Sequence, residues 1–211
     1  MIKEQTDREL LALAEQAEED LKDIYARIDA ICMLHSERIL QAFIENKVSY
    51  ADFSDINGYG SYDTGRDKLE RIFACVLGCE DALVRPQIMS GTNALYLAFS
   101  ALLRHGDTMI SLTGEPYDSL QEMIGLSGNS AQSLKAHGIH YEQIDLAGND
   151  FDTEKIIARL QRNDVRLVEI QRSRGYSHRS SLTIAQIGRL IKKIREVNTD
   201  VIIMVDNCYG E

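Results

Sequence analysis

The sequence predicts an α/β fold in which a helical arm leads into a mainly parallel, doubly wound sheet. Three observations carry that prediction. From about residue 7 to residue 46 apolar side chains recur at three- and four-residue steps. Beyond Gly78 short β-rich runs alternate with amphipathic helical stretches. The runs are followed by polar, glycine-bearing loops, where ligands of such sheets sit.

Within the arm, Leu10, Leu13, Ala17 and Leu21 precede Ile24, Ile28, Ile31, Ile39 and Phe43, which reads as two helices. An arm of this kind packs on a partner subunit or covers its own domain, and both readings stand. The turn-rich stretch Asn57-Gly58-Tyr59-Gly60-Ser61-Tyr62-Asp63-Thr64-Gly65 then leads into a helix through Leu69, Ile72, Phe73, Val76 and Leu77. After it, "ALVRPQIM" precedes a helix over residues 92–103, "TMISL" one from about Tyr117, "IHYEQI" one over 153–160 and "VRLVEI" one over 184–197; "VIIMV" comes last. The expected division is an arm over residues 1–55 and a main domain over 56–211.

Composition removes several classes of function. With 211 residues and no low-complexity tract the chain can bury a substantial core. Its apolar runs fall far short of the roughly 20 residues of a membrane helix, and "MIKEQTDREL" is too charged for a signal peptide, so a cytoplasmic location is expected. Four scattered cysteines, Cys32, Cys75, Cys79 and Cys208, form neither a disulfide framework nor a CxxC zinc pair; they read as reduced thiols, and no metal is expected. A net charge of −10 with dispersed basic residues argues against nucleic acid. Arg172, Arg174, His178 and Arg179 form the one local basic cluster, suited to a small anion or simply to a solvated loop.

Four loops at strand ends carry the chemistry: Ser90-Gly91-Thr92-Asn93, Thr113-Gly114-Glu115-Pro116-Tyr117, Gln171-Arg172-Ser173-Arg174-Gly175 and Asp206-Asn207-Cys208-Tyr209-Gly210. Their convergence suggests an anionic, planar ligand. Ser90-Gly91-Thr92 opens a helix, where free amides, the dipole and two hydroxyls suit a phosphate, though an ordinary N-cap accounts for the same residues. Asp206 ends an apolar run, so a cation, a metal or a hydrogen-bonded cap should face its carboxylate. Tyr117 follows a tight turn and suits either stacking on a planar ligand or packing at the rim. A dinucleotide site is disfavoured, because Asp63 stands where the third glycine of a G-x-G-x-x-G would be.

"GYGSYDTGRDKLERIF", "EDALVRPQIMSGTNAL", "GEPYDSL", "QRSRGYSHRSSLTI" and "VDNCYGE" together resemble, in order and spacing, the N-terminal half of the methionine γ-lyase-like proteins, also described as cystathionine β-lyase-like or aluminium-resistance proteins. The resemblance covers nearly the whole chain. It implies a truncated version of the large domain of fold-type I enzymes, with pyridoxal phosphate bound at the interface of a homodimer, usually within a homotetramer, and a carbon–sulfur lyase activity on sulfur amino acids. By the same resemblance Ser90, Gly91 and Thr92 are the phosphate cup, Tyr117 stacks on the pyridine ring, Asp206 keeps the ring nitrogen protonated, and Tyr59 and Arg66 reach the phosphate of a neighbouring subunit. Asn93 stands where histidine is commoner, Ser61-Tyr62 where Tyr-Asp is usual, and Ser180 where proline is.

None of the chain's lysines is placed for the imine with the cofactor, so the Schiff-base lysine is expected beyond Glu211 and these residues are expected to be catalytically incomplete. The alternatives are a non-catalytic binding or assembly module derived from the same fold, and a nucleotide-dependent α/β enzyme.

Overall fold

The computed structural model describes residues 8–54 and 63–208. Tyr59, one of the expected phosphate contacts, lies outside the described residues. The chain forms two compact units, residues 1–86 and 87–211.

In the first unit a single helix, α1, runs from Arg8–Glu45, where the sequence suggested two. No glycine or proline interrupts the stretch, so the backbone continues through. Only Ala42 of α1 is buried, and Leu10, Leu13, Ile28, Ile31 and Leu34 are exposed in this chain. A 3-10 turn at Tyr50–Phe53 follows, and then α2 (Thr64–Leu77), capped by Asp63 and ended by the left-handed Gly78. Because α2 packs on α1 it belongs to this unit, and the boundary falls at Pro86 rather than near residue 55. The run "ALVRPQIM" forms no strand: Val84 N donates to Glu70 Oε1 at 3.0 Å, Arg85 pairs with Glu70 Oε2 at 3.0 Å, and Pro86 has no amide hydrogen for a ladder.

The second unit is the predicted α/β domain. Its elements are α3 (Gly91–Leu102), β1 (Thr108–Ser111), α4 (Asp118–Ile124), β2 (His140–Gln143), α5 (Thr153–Leu160), β3 (Val165–Gln171), α6 (Ile184–Val197) and β4 (Ile202–Asp206). The strands form one parallel sheet in the order β2-β1-β3-β4. Alternate side chains of a strand face opposite ways, and the two cores follow from that. Ile110, Val168 and Ile170 pack with Ile156, Leu160, Ile187, Leu190 and Ile194 of α5 and α6, whereas Met109 and Leu167 pack with Phe99, Leu120 and Ile124 of α3 and α4. Helices on both faces are what a parallel sheet needs to bury its apolar sides.

Thr183 and Gln186 close a capping box at the start of α6, and Arg159 on α5 ties Glu142 of β2 to Asp164 at the entry to β3. No described helix is long and apolar enough to cross a membrane.

Candidate active site

β1 leads sideways to β2 and β3 leads the other way to β4, so the connections leaving these adjacent strands diverge, which is where open α/β sheets bind ligands. A cleft of about 480 Å³ lies there, formed by residues 113–118 after β1, Asp145, Leu146 and Gly148 after β2, and residues of the 171–179 segment after β3. Glu115, Tyr117, Arg174 and Arg179 are among its lining side chains.

Next to this cleft the sheet carries polar groups where an apolar core would be expected. Ser111, Thr113, Glu169 and Gln171 are all buried. Met109, Leu167 and Met204 face the α3 and α4 side, and two residues further along each strand alternation puts Ser111, Glu169 and Asp206 on that side too. The turn after β1 is held by backbone and side-chain bonds. Ser111 Oγ lies 2.9 Å from the Gly114 carbonyl oxygen, Gly114 N donates to Ile144 O at 3.1 Å, and Gln171 N donates to Thr113 Oγ1 at 3.2 Å. Gly114 has φ +79°, and a Cβ there would sit 2.9 Å from Asp145 Oδ1, so the turn requires glycine.

Glu169 is 1% exposed; Oε2 lies 3.1 Å from Ser111 Oγ, and Oε1 is buried with no partner among the described residues. Burial pushes its carboxyl up to about 7 and the charge of Asp206 adds to this, while the Ser111 bond and Arg179 act the other way. Burial also pushes the Tyr141 hydroxyl up, helped by Glu169, Glu115 and Asp145. Arg179 is shifted down from its ordinary value by burial.

The expected site residues fall into two groups. Ser90 is the N-cap of α3, its hydroxyl accepting from Asn93 N at 3.1 Å, and Gly91 has open space where a Cβ would stand. Thr92 Oγ1 lies 3.1 Å from Ser119 Oγ on α4, which joins the start of α3 to the helix that Tyr117 caps. Asp206 sits in register with Gln171 on β3, and its Oδ1 accepts from Cys208 N at 3.1 Å. Its strand is the edge of the described sheet, and Asp206 is half-buried. Of this group, Tyr117 lines the cleft; Ser90, Gly91, Thr92 and Asp206 are not among its lining residues.

Arg66 belongs to the first unit, where its Nε is 2.7 Å from Asp63 Oδ2 and it lines a separate hollow of about 300 Å³ with Phe43, Phe53 and Lys68. It therefore has a local partner, Asp63. Two members of the basic cluster hold the loop itself. Arg179 Nη2 donates to Gln171 O at 2.9 Å and also to Ser173 O, and Arg172 Nη1 donates to Asn207 Oδ1 at 2.8 Å. Among the described lysines none lines the cleft: Lys22 and Lys68 are paired in the first unit, Lys155, Lys192 and Lys193 lie on α5 and α6, and Lys135 precedes β2. No group of three or more metal-ligating side chains occurs among the described residues.

Comparison with known proteins decides the family. The model of the methionine gamma-lyase family matches residues 10–211. The chain belongs to that family. Among curated relatives of this chain is uncharacterized protein YnbB of Bacillus subtilis (strain 168), 41% identical over 199 residues, which are 94% of the chain and 47% of the relative. A Clostridium acetobutylicum structure described as a candidate cystathionine beta-lyase involved in aluminum resistance is 40% identical with a TM-score of 0.93, covering 97% of the chain and 49% of that protein. A carbon-sulfur lyase involved in aluminum resistance from Clostridium novyi NT is 39% identical with a TM-score of 0.90, over 97% and 49%. The chain thus spans about half the length of these relatives. A pyridoxal-5'-phosphate dependent protein of Escherichia coli shares the fold at 15% identity and a TM-score of 0.59.

Beside this cleft, the sequence reading passed over Glu169 and Ser111. The signal was present: one carboxylate inside "VRLVEI", flanked by Val168 and Ile170, with the same facing as Leu167.

Proposed function

We propose that these residues carry the cofactor-binding part of a pyridoxal-phosphate-dependent carbon–sulfur lyase acting on sulfur amino acids. The lysine that holds the cofactor covalently would come from sequence beyond Glu211. The observation that carries this reading is the link from the Ser90-Gly91-Thr92 helix start, through Thr92 and Ser119, to Tyr117, with Asp206 on the same side of the sheet. The donor set fits the cofactor. A helix N-terminus flanked by two hydroxyls and an unobstructed glycine suits a phosphate, and a carboxylate suits a protonated ring nitrogen.

When bound, the cofactor supplies an electron sink for the carbanion left by loss of the substrate's α-proton. The protein's own residues would hold it in place. Gly91 and Thr92 would offer their amides and Ser90 and Thr92 their hydroxyls to the phosphate; Tyr117 would pack on the ring, and Asp206 would keep a proton on the ring nitrogen. Arg66 and Tyr59 of another subunit would add phosphate contacts, and the protein would work as a homo-oligomer. The cleft beyond Tyr117, with Glu115, Arg174 and Arg179 at its wall, would receive the amino acid.

Equilibrium dialysis of the chain against pyridoxal phosphate and against pyridoxal tests the phosphate cup. Ser90→Ala should weaken binding of the phosphorylated compound about tenfold, the worth of one charge-assisted hydrogen bond, and leave pyridoxal unaffected. The lost N-cap will also lower stability by about 1 kcal/mol, which does not discriminate between the ligands. Equal effects on both ligands, or no saturable binding to the parent chain, would contradict the proposal.

A further inference from the structure

Two acceptors next to the cleft compete for one hydrogen. Ser111 Oγ lies 2.9 Å from the Gly114 carbonyl oxygen and 3.1 Å from Glu169 Oε2, and a serine hydroxyl has a single hydrogen to donate. Both contacts are hydrogen bonds only if one partner brings its own hydrogen. A backbone carbonyl has none; a protonated carboxyl has one.

We infer that Glu169 is a positioning residue for Tyr117: as a neutral carboxyl it donates to Ser111, Ser111 donates to the Gly114 carbonyl, and this chain holds the turn that ends at Tyr117, the N-cap of α4. The inference rests on the proposed function only for the task given to Tyr117; the hydrogen-bond chain does not depend on it.

The surroundings favour the neutral form. Burial raises the carboxyl's affinity for its proton, Asp206 on β4 adds repulsion, and Arg179 in the following loop opposes both. Tyr96 on α3 and Tyr117 also lie on this side, and so does Tyr141 on β2, whose hydroxyl burial and the Glu169 charge push up and which is itself a hydrogen-bond partner of Ser111. The unpartnered Oε1 is a modest cost on a neutral carboxyl and a large one on an ionised group. Above the titration Glu169 takes the Ser111 hydrogen, and the Gly114 carbonyl loses its donor.

Hydrogen exchange of residues 111–117 in the 211-residue chain, without cofactor, reads this out. After correction for intrinsic rates, protection should fall about fivefold between about pH 5.5 and about pH 8.5, the worth of one hydrogen bond. Glu169→Gln, whose side-chain amide also donates to Ser111, should stay protected at both values, and Ser111→Ala should be unprotected at both. Selective carbon-13 labelling gives the Glu169 midpoint in the unaltered chain, expected near 7. A midpoint in the ordinary carboxylate range, protection that does not change with pH, or a change that persists undiminished in E169Q would each overturn the inference. If the pH pattern holds while pyridoxal phosphate fails to bind, the function proposed above fails and the hydrogen-bond chain stands.

Discussion

Replacing Asp206 by asparagine is expected to lower carbon–sulfur lyase turnover by about a hundredfold while leaving the cofactor bound, because a carboxylate beside a cationic nitrogen holds its proton by one to three pKa units. The measurement needs a polypeptide of the relatives' full length. A chimera that joins residues 1–211 to the second half of the Clostridium novyi carbon-sulfur lyase, which is 39% identical over the matched region, provides one. Asparagine keeps the shape and the bond from Cys208 N to Asp206 Oδ1, so a loss of rate reports the charge rather than a collapsed loop. Near-normal turnover with bound cofactor would remove Asp206 from the role proposed for it.

Stability is expected to fall as pH rises through the range set by Glu169. Its carboxyl titrates near 4.5 when free and at about 7 in the folded chain. Below 4.5 both states are protonated and the group contributes nothing to pH dependence. Between the two values the unfolded chain releases its proton while the folded chain keeps it, so the folded state loses ground. Above 7 the full penalty of about 3 kcal/mol is present. Glu169→Gln carries no ionisable proton and should abolish that fall, melting on the order of 10 °C higher than the parent at about pH 8. Denaturant midpoints across pH for both proteins check this, and a parent whose stability rises between pH 5 and 7 would refute the assignment.

The parts of the fold that were legible in the sequence are those with a clean period and a clean ending. Strands β1 to β4 stood out as short β-rich runs, and α5 and α6 as amphipathic helices. The two helices expected over the arm are one helix, α1, because no glycine or proline breaks it. The run "ALVRPQIM" looked like a strand because propensity says nothing about partners, and here the partner is Glu70 rather than a strand. Asp206 was legible as a strand-end carboxylate, but whether its strand is central or an edge depends on strand order, which no local pattern records. Glu169 was missed because a single charge within an apolar run reads as an exception. Its significance comes from Ser111, 58 residues earlier, whose hydroxyl it meets only after β1 and β3 pair.

The central claim is that the Ser90-Gly91-Thr92 helix start, Tyr117 and Asp206 hold one molecule of pyridoxal phosphate. A crystal structure of the chain with that compound tests it most directly. The phosphate is expected within hydrogen-bond distance of the Gly91 and Thr92 amides, with the ring against Tyr117 and the ring nitrogen beside Asp206. Phosphate bound instead in the hollow beside Arg66, or a ring nitrogen turned away from Asp206, would contradict it.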